Sequence, residues 1–172
     1  MTSTTTLTGD YVLDPTRTRI GFVARHTMAT RVPGRFGMFE GHAQVSGDDP
    51  SKSTVHVTVR AASIDTHNPR RDKALRDKFL DAAHHPAITF ASTAVDRVDG
   101  TTFAVTGDLG IRGTTRRITI PLSLTATEPD RLGFTGTATI DRTDWGAHWS
   151  AVGFMVSKEV RLELAVCMIR RS

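Results

Sequence analysis

The sequence predicts an all-β fold, and three observations carry that prediction. Apolar residues recur with a period of two along about eight separate runs. Turn-forming clusters stand between many of the runs, among them Gly47-Asp48-Asp49-Pro50, Asp99-Gly100 and Glu128-Pro129-Asp130. Each run is apolar on one face and polar on the other, as a single closed sheet requires. Short strands at regular spacing fit a sandwich or a barrel, and the one-sided alternation favours an antiparallel β-barrel. Strands never alternate with long helices, which argues against a doubly wound α/β fold.

The Thr-rich start, "MTSTTTLTG", is expected to be a flexible tail over 1–9, followed by one domain over 10–172. It has neither the basic start nor the apolar stretch of a secretory signal. No run approaches the roughly 20 apolar residues of a membrane helix. The chain as written is therefore expected in the cytoplasm. In "RTRIGFVARH", Ile20, Phe22 and Ala24 share one face. Phe39, Gly41, Ala43 and Val45 follow, then Val55, Val57 and Val59, then Ile88 and Phe90. Phe103 and Val105 lead to Leu109 and Ile111, and Ile118, Ile120, Leu122 and Leu124 keep one register. Phe134, Gly136, Ala138 and Ile140 form the next face, and Val160, Leu162, Leu164, Val166 and Met168 the last. Several faces mix Phe with Gly and Ala. Small residues leave room inside a barrel, although glycine in a strand also marks bulges and bends.

One segment breaks the pattern. "NPRRDKALRDKFLD" predicts a short helix over 69–80, with Asn68 as N-cap and Pro69 as first residue. Leu75, Phe79 and Leu80 make its narrow apolar stripe. It reads either as a surface connection packed on the sheet or as a cap that offers cations to an anionic head group. A second short helix is expected near 143–150, in the "DRTDWGAHW" turn that sets Trp145 over a barrel end.

Composition removes several function classes. Hydrophobic residues make up 38% and charged residues 23%, as in an ordinary soluble protein. The net charge of +4 is spread among acids, and one Tyr and two Trp offer few stacking platforms. Nucleic-acid binding is not expected. The single cysteine, Cys167, permits no intramolecular disulfide and falls out of phase with Val166 and Met168, on the outer face. His84 and His85 are adjacent on an extended segment, so they point to opposite sides, and no metal site is expected from them or His67. No G-x-S-x-G elbow is present.

The motifs then point to a family. "SIDTHNPRRD" and "FLDAAHHPAITF" resemble the signature core of the YceI-like, polyisoprenoid-binding family, whose pattern there is S-I-D-T, R-D, F-x-D and P-x-I-T-F. "DPTRTRIGFVARH", "GRF", "GDLGIRGTTR" and "GFTGTATIDRTDWG" match further, in the family's order, from about Tyr11 to Met168. The chain departs from the family at Arg17, where His is usual, and at Gly110-Ile111, where a Thr-Ile pair is frequent. The resemblance implies a lipocalin-like, extended barrel, often a homodimer, that holds a long amphiphile in an apolar pore. It implies no enzyme and no cofactor beyond a bound polyisoprenoid-type lipid.

On that reading Ile20, Phe22, Phe36, Phe39, Phe90, Phe103, Leu109, Phe134 and Trp145 form the lipid-tail pocket. Arg25, His26, Arg71 and Asp72 are the polar head-group candidates, because Arg holds a phosphate or carboxylate by paired hydrogen bonds and His26 continues the inward phase of Ile20, Phe22 and Ala24. The guest would be a polyisoprenoid, an isoprenoid quinone or a fatty amide or acid. Two other readings stay open. One is an enzyme on a small apolar substrate with His26 and Asp72 as acid and base. The other is a partner-binding module with a filled core.

Overall fold

Period-two alternation becomes one antiparallel sheet closed on itself. The structure, a computed structural model, describes residues 7–25, 31–147 and 157–171. Among the described residues the strands are β1 (Gly9–Leu13), β2 (Arg19–Arg25), β3 (Arg31–Phe36), β4 (Phe39–Val45), β5 (Thr54–Arg60) and β6 (Ile64–Asp65). Helix α1 (Pro69–Ala74) follows, then β7 (Ala87–Arg97), β8 (Thr102–Ile111), β9 (Thr114–Glu128), β10 (Arg131–Asp141) and β11 (Glu159–Arg170).

Neighbours run β1-β4-β5-β7-β8-β9-β10-β11, and β11 pairs back onto β1 through Tyr11↔Arg170, Val12↔Ile169 and Leu13↔Met168. That is a closed antiparallel ring of eight strands. β11 also serves a second partner. Its other half pairs with β2, from Arg161↔Val23 to Ala165↔Arg19, and β2 carries β3 and then β6. The step from β1 to β2 is pinned to β11 at Cys167, whose carbonyl accepts from the Asp14 amide (2.9 Å) and the Thr18 hydroxyl (3.1 Å).

The predicted helix exists but changes hand-hold midway. The Asn68 side chain accepts from the Arg71 amide at 3.1 Å, Pro69 opens α1, and a π-helical turn continues it over Leu75–Phe79. Near 143–150 the expected short helix is present, in the described part, as one 3-10 turn. Arg142–Trp145 is a single 3-10 turn ended by Gly146 at φ 73°, a left-handed conformation that suits glycine. Residues 148–150 lie outside the described residues. The tail boundary also shifts. Leu7 is 7% exposed and accepts the Tyr11 hydroxyl at 2.9 Å, and Gly9 is already in β1. An apolar side chain and a buried phenol tie down what composition alone marks as loose.

The two barrel ends differ. At one, Leu7, Tyr11, Ala43, Leu132 and Met168 form a buried cluster, with the Arg170 guanidinium over the Tyr11 ring. Burial raises the Tyr11 pKa, with Arg170 opposing. At the other, Ala61, Ile64 and Leu80 pack with Leu75 and Phe79 beneath the helix, and Leu109, Ile140 and Trp145 pack beside them.

Candidate functional site

Between those ends runs a cavity of about 320 Å³. Along β11 it is lined from Val160 to Met168, about 26 Å of strand at roughly 3.3 Å per residue. With a tilt of about 40° that is roughly 20 Å along the axis. The inward faces predicted from the alternation supply most of the wall. Ile20, Phe22, Phe36, Phe90, Phe103, Leu109, Phe134 and Trp145 all line it. No carboxylate lines it among the described residues.

Aromatic rings shape the bore. Phe22 and Phe36 have centroids 5.7 Å apart, and Phe103 meets Phe134 edge-to-face at 6.2 Å. The glycines beside them do not simply leave space. Phe22 is directly across from Gly34, and a Cβ on Gly34 would collide with three atoms of the Phe22 ring. Phe90 lies in the same way over Gly107. The rings are thereby laid against the wall and the axis is left open. Gly34→Ala is expected to tilt Phe22 into the bore, to cost about 1–3 kcal/mol, and to lower Tm by several degrees. A thermal melt with a crystal structure of the variant checks both effects.

Phe39 is not part of this wall. The β1–β4 ladder ends at Val12↔His42, three residues short of it, while β5 pairs it with Val59 on the other side. It lines a separate pocket with Val12, Pro15, Glu40, His42 and His56.

The polar candidates separate in space. Arg71 lines the cavity at the helix end, on one helical stripe with Leu75 and Phe79. Its Nε donates to Thr66 Oγ1 (2.8 Å) and its Nη2 to the Thr66 carbonyl (2.7 Å). Asp72 does not reach the cavity. It is 7% exposed, and its Oδ1 accepts the Thr66 amide (2.9 Å) and the Thr66 hydroxyl (2.5 Å). Asp72 holds Thr66, which in turn holds Arg71. Arg25 is exposed at the end of β2 and is absent from the lining. His26 lies outside the described residues. His84 is engaged by Asp81 at 2.8 Å, which raises the His84 pKa and lowers that of Asp81.

Sequence reasoning misses a second cation. Arg142 lines the cavity, and its guanidinium lies 5.6 Å from the Phe79 centroid. It donates to the Ser157 and Ala147 carbonyls at 3.1 and 2.5 Å. Burial lowers its pKa from the ordinary value, with Asp141 opposing. Asp141 also accepts from the Thr143 amide (2.9 Å) and hydroxyl (2.6 Å), which shapes the turn that aims Arg142. The signal is present in the sequence, since Arg142 continues the inward phase of Ala138 and Ile140. Trp145 completes this end, 2% exposed, with its Nε1 donating to the Leu109 carbonyl at 2.8 Å.

Known proteins share this architecture. The crystal structure of BcnA from Burkholderia cenocepacia superposes with a TM-score of 0.83 at 21% identity, covering 90% of this chain and 98% of that one. A polyisoprenoid binding domain from Saccharophagus degradans gives 0.80 at 16% identity over 94% and 98%. In sequence, a UPF0312 protein of Pseudomonas aeruginosa is 35% identical over 158 residues, 88% of this chain and 81% of its own length. One from Shewanella putrefaciens is 32% identical over 170 residues, 94% and 88%. Residues 11–168 match the YceI-like domain, nearly the whole closed sheet, and the chain belongs to that family.

Proposed function

We propose that this barrel is a non-enzymatic carrier of a long-chain amphiphile, a polyisoprenoid, an isoprenoid quinone or a fatty amide or acid. The tail lies along the bore and the head rests near Arg71 and Arg142. One observation carries the reading: a deep cavity with apolar walls ends at two guanidiniums, that of Arg142 lying over Phe79, and holds no carboxylate among its described lining residues. Such a site has cations for an acidic or acceptor-rich head and dry walls for a tail, but no acid/base pair along its length. The Saccharophagus degradans domain, named for polyisoprenoid binding, supports the same guest class. Asp72, bonded to Thr66 and outside the lining, weakens the acid/base alternative.

Native mass spectrometry of protein purified without detergent, followed by organic extraction, tests the reading. A stoichiometric long-chain adduct is expected, and the same spectrum reads the homodimer mass that is part of this proposal. A lipid-free mass that stays lipid-free after incubation with polyprenyl and fatty-acid ligands overturns it.

A further inference from the structure

The barrel wall is not bonded equally all round. β10 pairs with β11 along its whole length, from Arg131↔Ile169 to Asp141↔Glu159. β9 pairs with β8 from Ile111↔Thr114 to Thr102↔Ser123. Between β9 and β10 the ladder covers only Arg131↔Glu128 to Thr135↔Ser123, with a bulge at Gly133/Phe134. It stops where Pro121 enters the strand. Proline has no N–H to give, and its carbonyl lies so close to Gly136 that any Cβ there would collide. Beyond that point residues 136–141 of β10 and 114–122 of β9 make no ladder pairs with each other. The unladdered seam is roughly 20 Å long at about 3.3 Å per residue.

The seam faces the cavity directly. Ile118, Ile120 and Leu122 on its β9 side and Ile140 on its β10 side all line the bore. Above it, side chains bridge the gap. Arg112 Nη1 donates to the Gly146 carbonyl (2.8 Å), Arg116 Nε to the Asp144 carbonyl (3.2 Å) and Trp145 Nε1 to the Leu109 carbonyl (2.8 Å). All three bonds tie the 3-10 turn after β10 to the β8–β9 hairpin. The slit is thus closed by a ladder below and a clasp above.

We propose that this seam is the passage by which a long apolar chain enters and leaves the bore, sideways between β9 and β10. The proposal rests on the carrier reading. Parting β9 and β10 over residues 136–141 breaks no ladder bonds, only the three clasp bonds above, which makes it a low-cost local opening. A slit running along the strands also admits a long chain lengthwise, with no need to thread it end-on past Arg71 and Phe79.

Two measurements test it. Residue-resolved amide exchange on the free protein compares, within residues 136–141, the amides pointing at β9 with those bonded to β11. The first set is expected to exchange at least about tenfold faster, and equal protection overturns the proposal. The second uses Thr119→Cys with Thr139→Cys in a Cys167→Ser background. These positions are opposite one another when the Thr135↔Ser123 register is extended. With cis-parinaric acid as the probe, oxidation is expected to slow release about tenfold with unchanged affinity. Equal release rates from the oxidised and reduced forms overturn the passage and leave the carrier reading standing. No binding of the probe or of any polyprenyl or fatty-acid ligand by the parent protein overturns the carrier reading, and the passage with it.

Discussion

Phe22→Asp and Phe134→Asp are each expected to leave the purified barrel without lipid, while Arg71→Ala still carries it. Both rings line the bore, one on β2 and one on β10. An apolar tail gains about 0.8 kcal/mol for each methylene it buries, so affinity is built along the whole tube. A carboxylate placed mid-bore must be stripped of water against that tail, at several kcal/mol, and each 1.4 kcal/mol is about tenfold in affinity. Arg71→Ala removes one cation from a head-group end that retains Arg142, a loss of about 1–2 kcal/mol. Lipid occupancy by native mass spectrometry separates the cases. Equal and negligible losses in all three variants would sink the bore as the binding site.

The largest stability effect is expected from Asp72→Ala. This buried carboxylate accepts both the amide and the hydroxyl of Thr66, which is itself 4% exposed. Its loss strands a buried N–H and unseats the hydroxyl that orients Arg71. The cost is about 3 kcal/mol, or roughly 6–12 °C in Tm for a domain of this size. Asp72→Asn keeps an acceptor oxygen for the amide and is expected to lose less than half as much. If the two variants melt alike, the charge rather than the bonding geometry carries the effect. If neither moves, Thr66 is held by something else.

The strands legible in the sequence are those with strict alternation and length. β5, β9 and β11 announce themselves because every second residue is branched or aliphatic. β1, β3 and β6 do not. β1 is five residues hidden beside a Thr-rich start, β3 carries Pro33 and Gly34 and reads as a turn, and β6 is two residues long. Their strand state comes from pairing with β11, β2 and β3, a tertiary cause that local pattern does not contain. The same limit governs the site. Ring positions in phase with long strands fall on the bore, whereas Phe39, at the first residue of β4, does not line it. Arg71 falls on the stripe of Leu75 and Phe79 by its spacing, four and eight residues before them. The place of Asp72, one residue on, is not legible in that way, since its partner Thr66 precedes the helix. Nor does alternation reveal that Pro121 and Gly136 meet across β9 and β10, because that contact depends on the register between strands.

The cluster of Leu7, Tyr11, Leu132 and Met168 gives the tube a fixed floor. Tyr11 and Leu132 are each 1% exposed, and the Tyr11 phenol is tethered to Leu7. On the carrier reading, a guest anchored at the arginine end therefore has a set depth to occupy. Each added carbon strengthens binding until the tip meets the floor, and further length must bend back or stay outside in water. On the carrier reading the barrel acts as a gauge that ranks guests by how far they reach, and Leu132, which lines the bore, marks the end of the scale.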